Sequence, residues 1–421
     1  MLTAVVGINW GDEGKGRMVD LLSADYDIVC RYQGGNNAGH TVINDHGKFV
    51  LNLLPSGISR EGAVNIMGNG MVIDLEHLVH EIRSLREKGI HIGPDNLKIS
   101  DKAVICLPWH KMQDIMEEDR LKDKKYGSTR RGIGPVYADK YMKKAVRMGD
   151  LFSPDTLPEK VADLTEWKNL TVRGYGHEPV KAEDILAWLH EYGDLIKPYV
   201  TDVSDYLYGE AKAGKNIIFE AQLGALRDIE FGIYPYTSSS CTLAGYAPIG
   251  AGIPGMKLDN VVGIMKAYSS CVGEGPFTVE MFGDEAEALR RAGGEYGAAT
   301  GRPRRVGAFD IPASRYGVRM QGADCIALTK LDVLSYMEKI PVCVAYDIDG
   351  ELTDKFPIGE KLNAAKPVFE YMEGFGDISG CRKAEELPKA AMDYIRYLEK
   401  AVGCKIKYVS VGAGRDEYIE L

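Results

Sequence analysis

Apolar residues fall in short, mostly β-branched runs separated by amphipathic or polar stretches. The runs lie at Ala4 to Ile8, Asp27 to Tyr32, Ala63 to Met67, Asn216 to Phe219, Val261 to Met265, Cys325 to Thr329, Pro341 to Ala345 and Lys405 to Val409. Continuous apolar runs of this length fit strands buried on both faces better than the strict alternation of a half-exposed antiparallel sheet. Two intervening stretches, Leu75 to Lys88 and Lys389 to Ala401, carry helical periodicity. Strand–helix alternation predicts an α/β fold with a large, mostly parallel central sheet flanked by helices and long active-site loops. Residues 154–214 read as a mainly helical insertion in a single α/β domain over 1–421, because no repeat, low-complexity tract or Pro/Ser-rich linker marks a boundary.

Composition adds three constraints. Glycine supplies 48 of 421 residues, above average usage, yet without a collagen period, so the excess belongs to loops. A net charge of −10 argues against a broad nucleic-acid surface, which needs clustered Lys and Arg. No apolar run reaches the length of a membrane span, and no signal peptide is visible at Met1 to Trp10. Eight cysteines are scattered singly with no CxxC pair, which predicts a reduced, cytoplasmic enzyme.

Candidate chemistry begins where the first strand ends, at Gly7-Ile8-Asn9-Trp10-Gly11-Asp12-Glu13-Gly14-Lys15-Gly16-Arg17. A strand, a glycine loop with a lysine and a following helix bring backbone N–H groups and a cation to a phosphate. The spacing is not that of a Walker A loop, since Asn9 and Gly16 stand where that motif needs Gly and Ser or Thr. Asp12 and Glu13 offer a base or a Mg²⁺ ligand beside the cradle. A second glycine loop, Arg31-Tyr32-Gln33-Gly34-Gly35-Asn36-Asn37-Ala38-Gly39-His40-Thr41, follows the second strand. If the two strands are neighbours, Asp12 and His40 meet at one sheet edge, where α/β ligands bind. A solvated turn is the plain alternative for either loop alone.

The pair WGDEGKG and GGNNAGHT resembles the signature of the adenylosuccinate synthetase family. The resemblance implies a GTP-dependent ligase that condenses inosine monophosphate with L-aspartate through a 6-phosphoryl purine. Asp12 would take the purine N1 proton and His40 would assist phosphoryl transfer; Lys15 and Mg²⁺ would offset charge on the moving group. Asp12 and the Gly39 carbonyl would hold the metal, with Gly14, Lys15, Gly16 and Thr41 on GTP. Further segments match in family order. Gly127 to Pro135 is similar to a nucleotide-phosphate loop with Thr129 as donor, and Lys143 stands where a partner subunit of a homodimer normally supplies an arginine. Ser238, in Tyr234 to Ser240, takes the place of a phosphate-binding threonine, and Val272 that of a backbone contact to ribose. Thr300, Arg302 and Arg304 would bind L-aspartate from a closing loop at 297–305, Arg304 also reaching the nucleotide sugar. Lys330 and Asp332 in TKLD, with Ser410 and Gly412, would select guanine.

One segment departs from the family. Phe219-Glu220-Ala221-Gln222-Leu223-Gly224 resembles E-G-A-Q-G, but Leu223 occupies the glutamine position and Gln222 comes one residue early. Either the loop shifts to present Gln222 to the purine 6-position, or another donor such as Asn37 compensates; the shift is favoured. Two alternatives to the leading function stay open: the same chemistry on another 6-oxopurine nucleotide, and a non-catalytic GTP-binding protein. Neither nucleic acid nor membrane is expected as a partner.

Overall fold

A computed structural model of the chain describes residues 1–37, 39–44, 47–297 and 301–421. Ten strands make the central sheet: β1 (Leu2–Gly7), β2 (Ile28–Arg31), β3 (Val64–Met67), β4 (Leu97–Ser100), β5 (Val200–Thr201), β6 (Ile217–Gly224), β7 (Asn260–Lys266), β8 (Cys325–Thr329), β9 (Ile406–Ser410) and β10 (Tyr418–Glu420). Their spatial order is β10-β9-β8-β7-β1-β6-β2-β3-β4-β5, and every pairing is parallel except β9 with β10. The buried strands β1 and β2 carry apolar side chains on both faces, as a covered parallel sheet requires.

Two sequence expectations need correction. β1 and β2 are not neighbours: β6 lies between them, so Asp12 and His40 leave the sheet from strands two positions apart. The run at Pro341 to Ala345 is not in the central sheet. It forms part of a longer strand, Lys339–Ile348, which pairs antiparallel with Glu351–Thr353 and Lys366–Glu373 and parallel with Phe309–Asp310 in a smaller sheet. An apolar run reports burial, not which sheet does the burying.

Residues 154–214 contain the helices Leu157–Gly174, Ala182–Ile196 and Val203–Lys212, together with β5 at the sheet edge. No helix is long and apolar enough to cross a membrane among the described residues. The helix Leu75–Glu87 buries Leu75, Leu78, Val79, Ile82 and Leu85, the i, i+3, i+4 stripe that its sequence predicts. Its N-cap, Asp74, accepts from the His77 N–H at 3.3 Å, and its other oxygen accepts from Asn36 Nδ2 at 3.0 Å. One carboxylate therefore starts a helix and holds the second glycine loop.

The helix Ile311–Gln321 starts on Asp310, whose carboxylate accepts from the Ala313 N–H at 3.0 Å and from the Tyr346 hydroxyl at 2.7 Å. Burial pushes the Asp310 carboxyl up to about 6, against the pull of these hydrogen bonds. The folded protein thus holds this proton more tightly than the unfolded chain, and the contribution is lost as pH rises through about 6. Relative to Asp310→Asn, which keeps the cap and cannot titrate, the native protein should lose roughly 2–3 kcal/mol of stability between pH 4 and 7. Urea midpoints of the two proteins across that range measure it.

Candidate active site

The C-terminal ends of β1, β2, β6, β7, β8 and β9 point to one edge of the sheet, and the order reverses at β1, the place where open α/β sheets bind ligands. After β1 the chain turns through Gly11 and Asp12, both at positive φ, and Gly14 (φ 98°) opens the helix Lys15–Leu22 with no side chain capping its N-terminus. That leaves the first-turn N–H groups for an anion. Glu13 is buried and braces the loop from inside. Its carboxylate accepts from the Asn9 and Gly11 N–H groups at 3.1 and 2.8 Å and pairs with Lys15 Nζ at 2.7 Å. Its carbonyl accepts from the Thr329 hydroxyl at 2.6 Å. Glu13 is therefore spent on loop structure, whereas Asp12 is half-buried and meets Arg304 Nη2 at 3.1 Å.

The two glycine loops touch. A Cβ on Gly16 would lie 2.7 Å from the His40 Cβ and 3.0 Å from Ser56 Oγ, so only glycine lets the phosphate-loop helix pack on this histidine. His40 begins the hairpin His40–Asn44 and Gly47–Leu51. Its Nδ1 bonds to the fully buried Glu220 of β6, whose carboxylate also accepts from the Ser56 N–H at 2.8 Å and the Ser56 hydroxyl at 2.6 Å. Burial holds the His40 imidazole below its ordinary range, and Arg31 and Lys15 push the same way against the attraction of Glu220. Burial would raise Glu220, but His40, Arg31 and Ser56 together hold it below its ordinary range. The pair is a neutral imidazole donating Nδ1–H to a carboxylate, which leaves Nε2 as the other ring nitrogen.

Gln222 and Leu223 divide differently from the expected shift. Gln222 is fully buried: Nε2 donates to the Gly35 carbonyl at 2.9 Å, its own carbonyl accepts from Gln33 Nε2 at 2.8 Å, and Oε1 has no protein partner. Leu223 is half-buried at a left-handed φ of 59° against the backbone of Gly11. The strand bulges here, since Val5 pairs with Glu220 but Gly7 with Gly224. The bulge turns Leu223 towards the Asp12 loop while Gln222 joins the second glycine loop.

The base of the Arg302 loop is a backbone ladder in which the Arg304 N–H donates to the Glu295 carbonyl at 2.9 Å and the Gly297 N–H to the Arg302 carbonyl at 2.8 Å. Arg302 is exposed and lies 3.8 Å from Glu274. Thr300 lies outside the described residues. Lys330 has a left-handed φ of 59° after β8, and Asp332 Oδ1 is buried without a protein partner. Ser410 and the Gly412 carbonyl both accept from Arg17 Nη1, which joins the phosphate-loop helix to the C-terminal loop. Asn37 accepts from the Gly35 N–H at 3.2 Å, and Thr41 pairs with Val50 in the hairpin, next to the exposed Gly39. Ser238 Oγ lies 3.0 Å from Ser240 Oγ. Thr129 is exposed in a loop fastened by Asp114, which accepts from the Ser128 hydroxyl at 2.6 Å and the Gly132 N–H at 2.8 Å. Lys143 is exposed at φ 63° beyond the helix Ile133–Tyr141.

Comparison with known proteins decides the family. The family model for adenylosuccinate synthetase matches residues 4–419. The chain belongs to the adenylosuccinate synthetase family. It is 44% identical over 423 residues to the adenylosuccinate synthetase of Caldanaerobacter subterraneus subsp. tengcongensis, covering 100% of this chain and 99% of the relative. It is 43% identical over 416 residues to that of Streptococcus gordonii, covering 98% and 96%. Among solved structures, the fully ligated adenylosuccinate synthetase from Plasmodium falciparum superposes with a TM-score of 0.93 at 37% identity, over 100% of this chain and 99% of the other. The succinoaminodeoxyadenylate synthetase of cyanophage S-2L shares the fold, with a TM-score of 0.61 at 18% identity over 100% and 95%.

Within this adenylosuccinate synthetase architecture, several residues went unnoticed in the sequence. Glu220 had one signal, an acid inside the apolar run of β6. Arg17 had none, because its partners lie almost 400 residues away. Arg227, also missed, donates to the carbonyls of Val272 at 2.6 Å and Glu274 at 3.3 Å and to that of Tyr236, tying together the turns that carry Val272 and Ser238. Glu220→Gln would keep the volume but remove the charge that orients the imidazole. Ligase turnover should fall on the order of a hundredfold, with nucleotide KM values changing less than about threefold, in steady-state assays.

Proposed function

We propose that this adenylosuccinate synthetase family member activates the 6-oxygen of inosine monophosphate with Asp12 and His40 and then admits L-aspartate. The family joins inosine monophosphate to L-aspartate at the expense of GTP, as a step of AMP biosynthesis. The observation that carries the residue-level reading is the meeting of the two glycine loops, with Asp12 on one and the Glu220-oriented His40 on the other.

Asp12 takes the proton from N1, and electron density moves to O6, which attacks the γ-phosphorus of GTP. The bond from the γ-phosphorus to the bridging oxygen breaks and GDP leaves. His40, through Nε2, faces the transferring group. The amine of L-aspartate then attacks C6, inorganic phosphate departs, and the amine loses a proton. An amide-like oxygen is a poor leaving group and a phosphate ester a good one, which is why GTP is consumed. Arg304 and Arg302 present guanidinium forks to the dicarboxylate, with Thr300 beside them. Asn37, Thr129, Ser238 and the Val272 carbonyl hold the nucleotide.

Gly14, Lys15, Gly16 and Thr41 cradle the GTP phosphates. Lys330 lies along the guanine plane and the unpartnered Asp332 Oδ1 accepts from its N1–H and amine edge, with Ser410 and Gly412 alongside. Mg²⁺ is ordinarily held through one or two carboxylates plus substrate phosphates, and the Asp12 carboxylate with the exposed Gly39 carbonyl fits that donor set. When bound there, the ion neutralises phosphate charge.

The active unit is a homodimer in which Lys143, exposed beyond its helix, reaches the partner's nucleotide phosphate. A lysine keeps the charge but not the bidentate geometry of an arginine. The enzyme is cytoplasmic, in keeping with eight cysteines that are all free. The half-buried Leu223 beside the Asp12 loop favours a second reading, in which another 6-oxopurine nucleotide is the substrate.

The purified enzyme should form product only with GTP, inosine monophosphate and L-aspartate all present; full GTP turnover without aspartate would overturn the reading. Faster turnover of a guanine mononucleotide would favour the second substrate. Asp12→Asn should lower kcat at least about a hundredfold, as loss of a positioned base does. Asp332→Asn should reduce the preference for GTP over its hypoxanthine counterpart by about tenfold or more, since a site built to pair a substrate N–H discriminates strongly.

A further inference from the structure

Glu295 follows the helix Gly283–Gly293 and is fully buried at the foot of the Arg302 loop. Its carboxylate gathers donors from three separate parts of the chain. Oε2 accepts from Arg304 Nη1 at 2.8 Å, on the returning arm of the loop. Oε1 accepts from Lys266 Nζ at 2.8 Å, at the end of β7, from the Tyr268 hydroxyl at 2.5 Å, and from Lys330 Nζ at 2.9 Å, just past β8. Lys330 Nζ also donates to the Gly293 carbonyl at 2.5 Å, so its ammonium grips the segment that leads into the loop. On its far side Arg304 reaches Asp12. A continuous line of charge-assisted contacts thus runs from the residue after β8, through one carboxylate, to the phosphate loop.

The arrangement is electrostatically lopsided. One buried carboxylate faces three cations, and burial outweighs its pull on Lys266, whose ammonium is pushed down to about 8 with Lys330 and Arg304 adding to the shift. Lys266 is buried and Arg304 and Lys330 are partly so, and taking away the carboxylate would leave the three cations to repel each other. The geometry of Arg304 and that of Lys330 are therefore fixed by the same group. Neither can move away from Glu295 without altering the charge balance felt by the other.

From this we infer that Glu295 is a positioning residue that couples the guanine end of the site to the dicarboxylate loop. The inference rests on the roles proposed for Lys330 and Arg304 and adds a link between them. A base lying against the Lys330 stem fixes where its ammonium sits. The ammonium fixes Glu295, and Glu295 fixes the guanidinium that meets L-aspartate. GTP and L-aspartate then bind more tightly together than apart, although they touch different residues.

The test uses the full-length enzyme, with KM for L-aspartate and for GTP measured in the native protein, Glu295→Gln, Lys330→Met and the double variant. Lys330→Met keeps an unbranched apolar stem against the base and removes only the ammonium. Each single substitution should raise the KM for L-aspartate about tenfold, within the usual range of coupling between sites. The double variant should be no worse than Glu295→Gln alone, because both remove the same link. An aspartate KM unchanged within about twofold in Lys330→Met overturns the inference, even where Glu295→Gln fails to fold. Additive effects in the double variant overturn it as well. A native enzyme that turns over GTP without needing aspartate would instead sink the functional reading, and this inference with it.

Discussion

A carboxylate with no access to water, Glu220, lies between the two glycine loops of the candidate site. Glu220 can occupy that place because β6 is threaded between β1 and β2, and Glu220 pairs with Arg31 at the end of β2, where the second glycine loop begins. An ionised group so placed is tolerable only when fully paired, and the pairing fixes its surroundings: the His40 ring, both donors of Ser56 and the nearby Arg31. Arg31 is itself buried and anchored to the carbonyls of Asn52 and Leu54 at 2.6 and 3.3 Å. Much of the site's rigidity follows from the need to satisfy this one charge.

The same economy runs through the rest of the edge. The protein is acidic as a whole, yet its site gathers cations, most of which meet a carboxylate inside the protein: Lys15 with Glu13, Arg304 with Asp12 and Glu295, Lys266 and Lys330 with Glu295. Such prearranged dipoles and charges need little reorganisation when a substrate charge develops beside them. Positive groups at this edge of the sheet are thus already oriented, in a chain whose net charge is −10.

Much of this was legible in the sequence, and the limits have physical causes. Short apolar runs located seven of the ten strands of the central sheet, because burial on both faces leaves a local imprint. They could not order the strands: nothing local distinguishes a β6 that sits between β1 and β2 from one at an edge. The run at Pro341 to Ala345 misled for the same reason. The two loops that carry Asp12, Lys15 and His40 stood out because their glycines advertise close backbone approach, and the loops do pack on each other. Glu13 looked like a second acid for the reaction and proved to be a brace, since a side chain's inward turn depends on the loop's φ angles rather than on its neighbours in sequence. Glu295 and Arg17 were silent because what makes them important is a set of partners brought from distant segments. At Leu223 the mismatch could be seen, but only the bulge in β6 shows that the leucine, not Gln222, turns towards Asp12.

Arg17 carries a consequence for how the protein is made. Its guanidinium, at the start of the first helix, is held by Ser410, Gly412, Gly414 and Glu417, and Arg415 returns the contact by gripping Asp20 with both ends of its fork at 3.0 and 2.7 Å. On the ribosome, the N-terminal helix emerges long before the segment that completes it has been translated. Until then the loop after β1 and its helix lack the C-terminal loop that Arg17 and Asp20 hold. Contacts of such sequence separation are entropically late and slow to form. The first helix therefore gains its full set of partners only once residues 410–417 have been made and have folded back onto it.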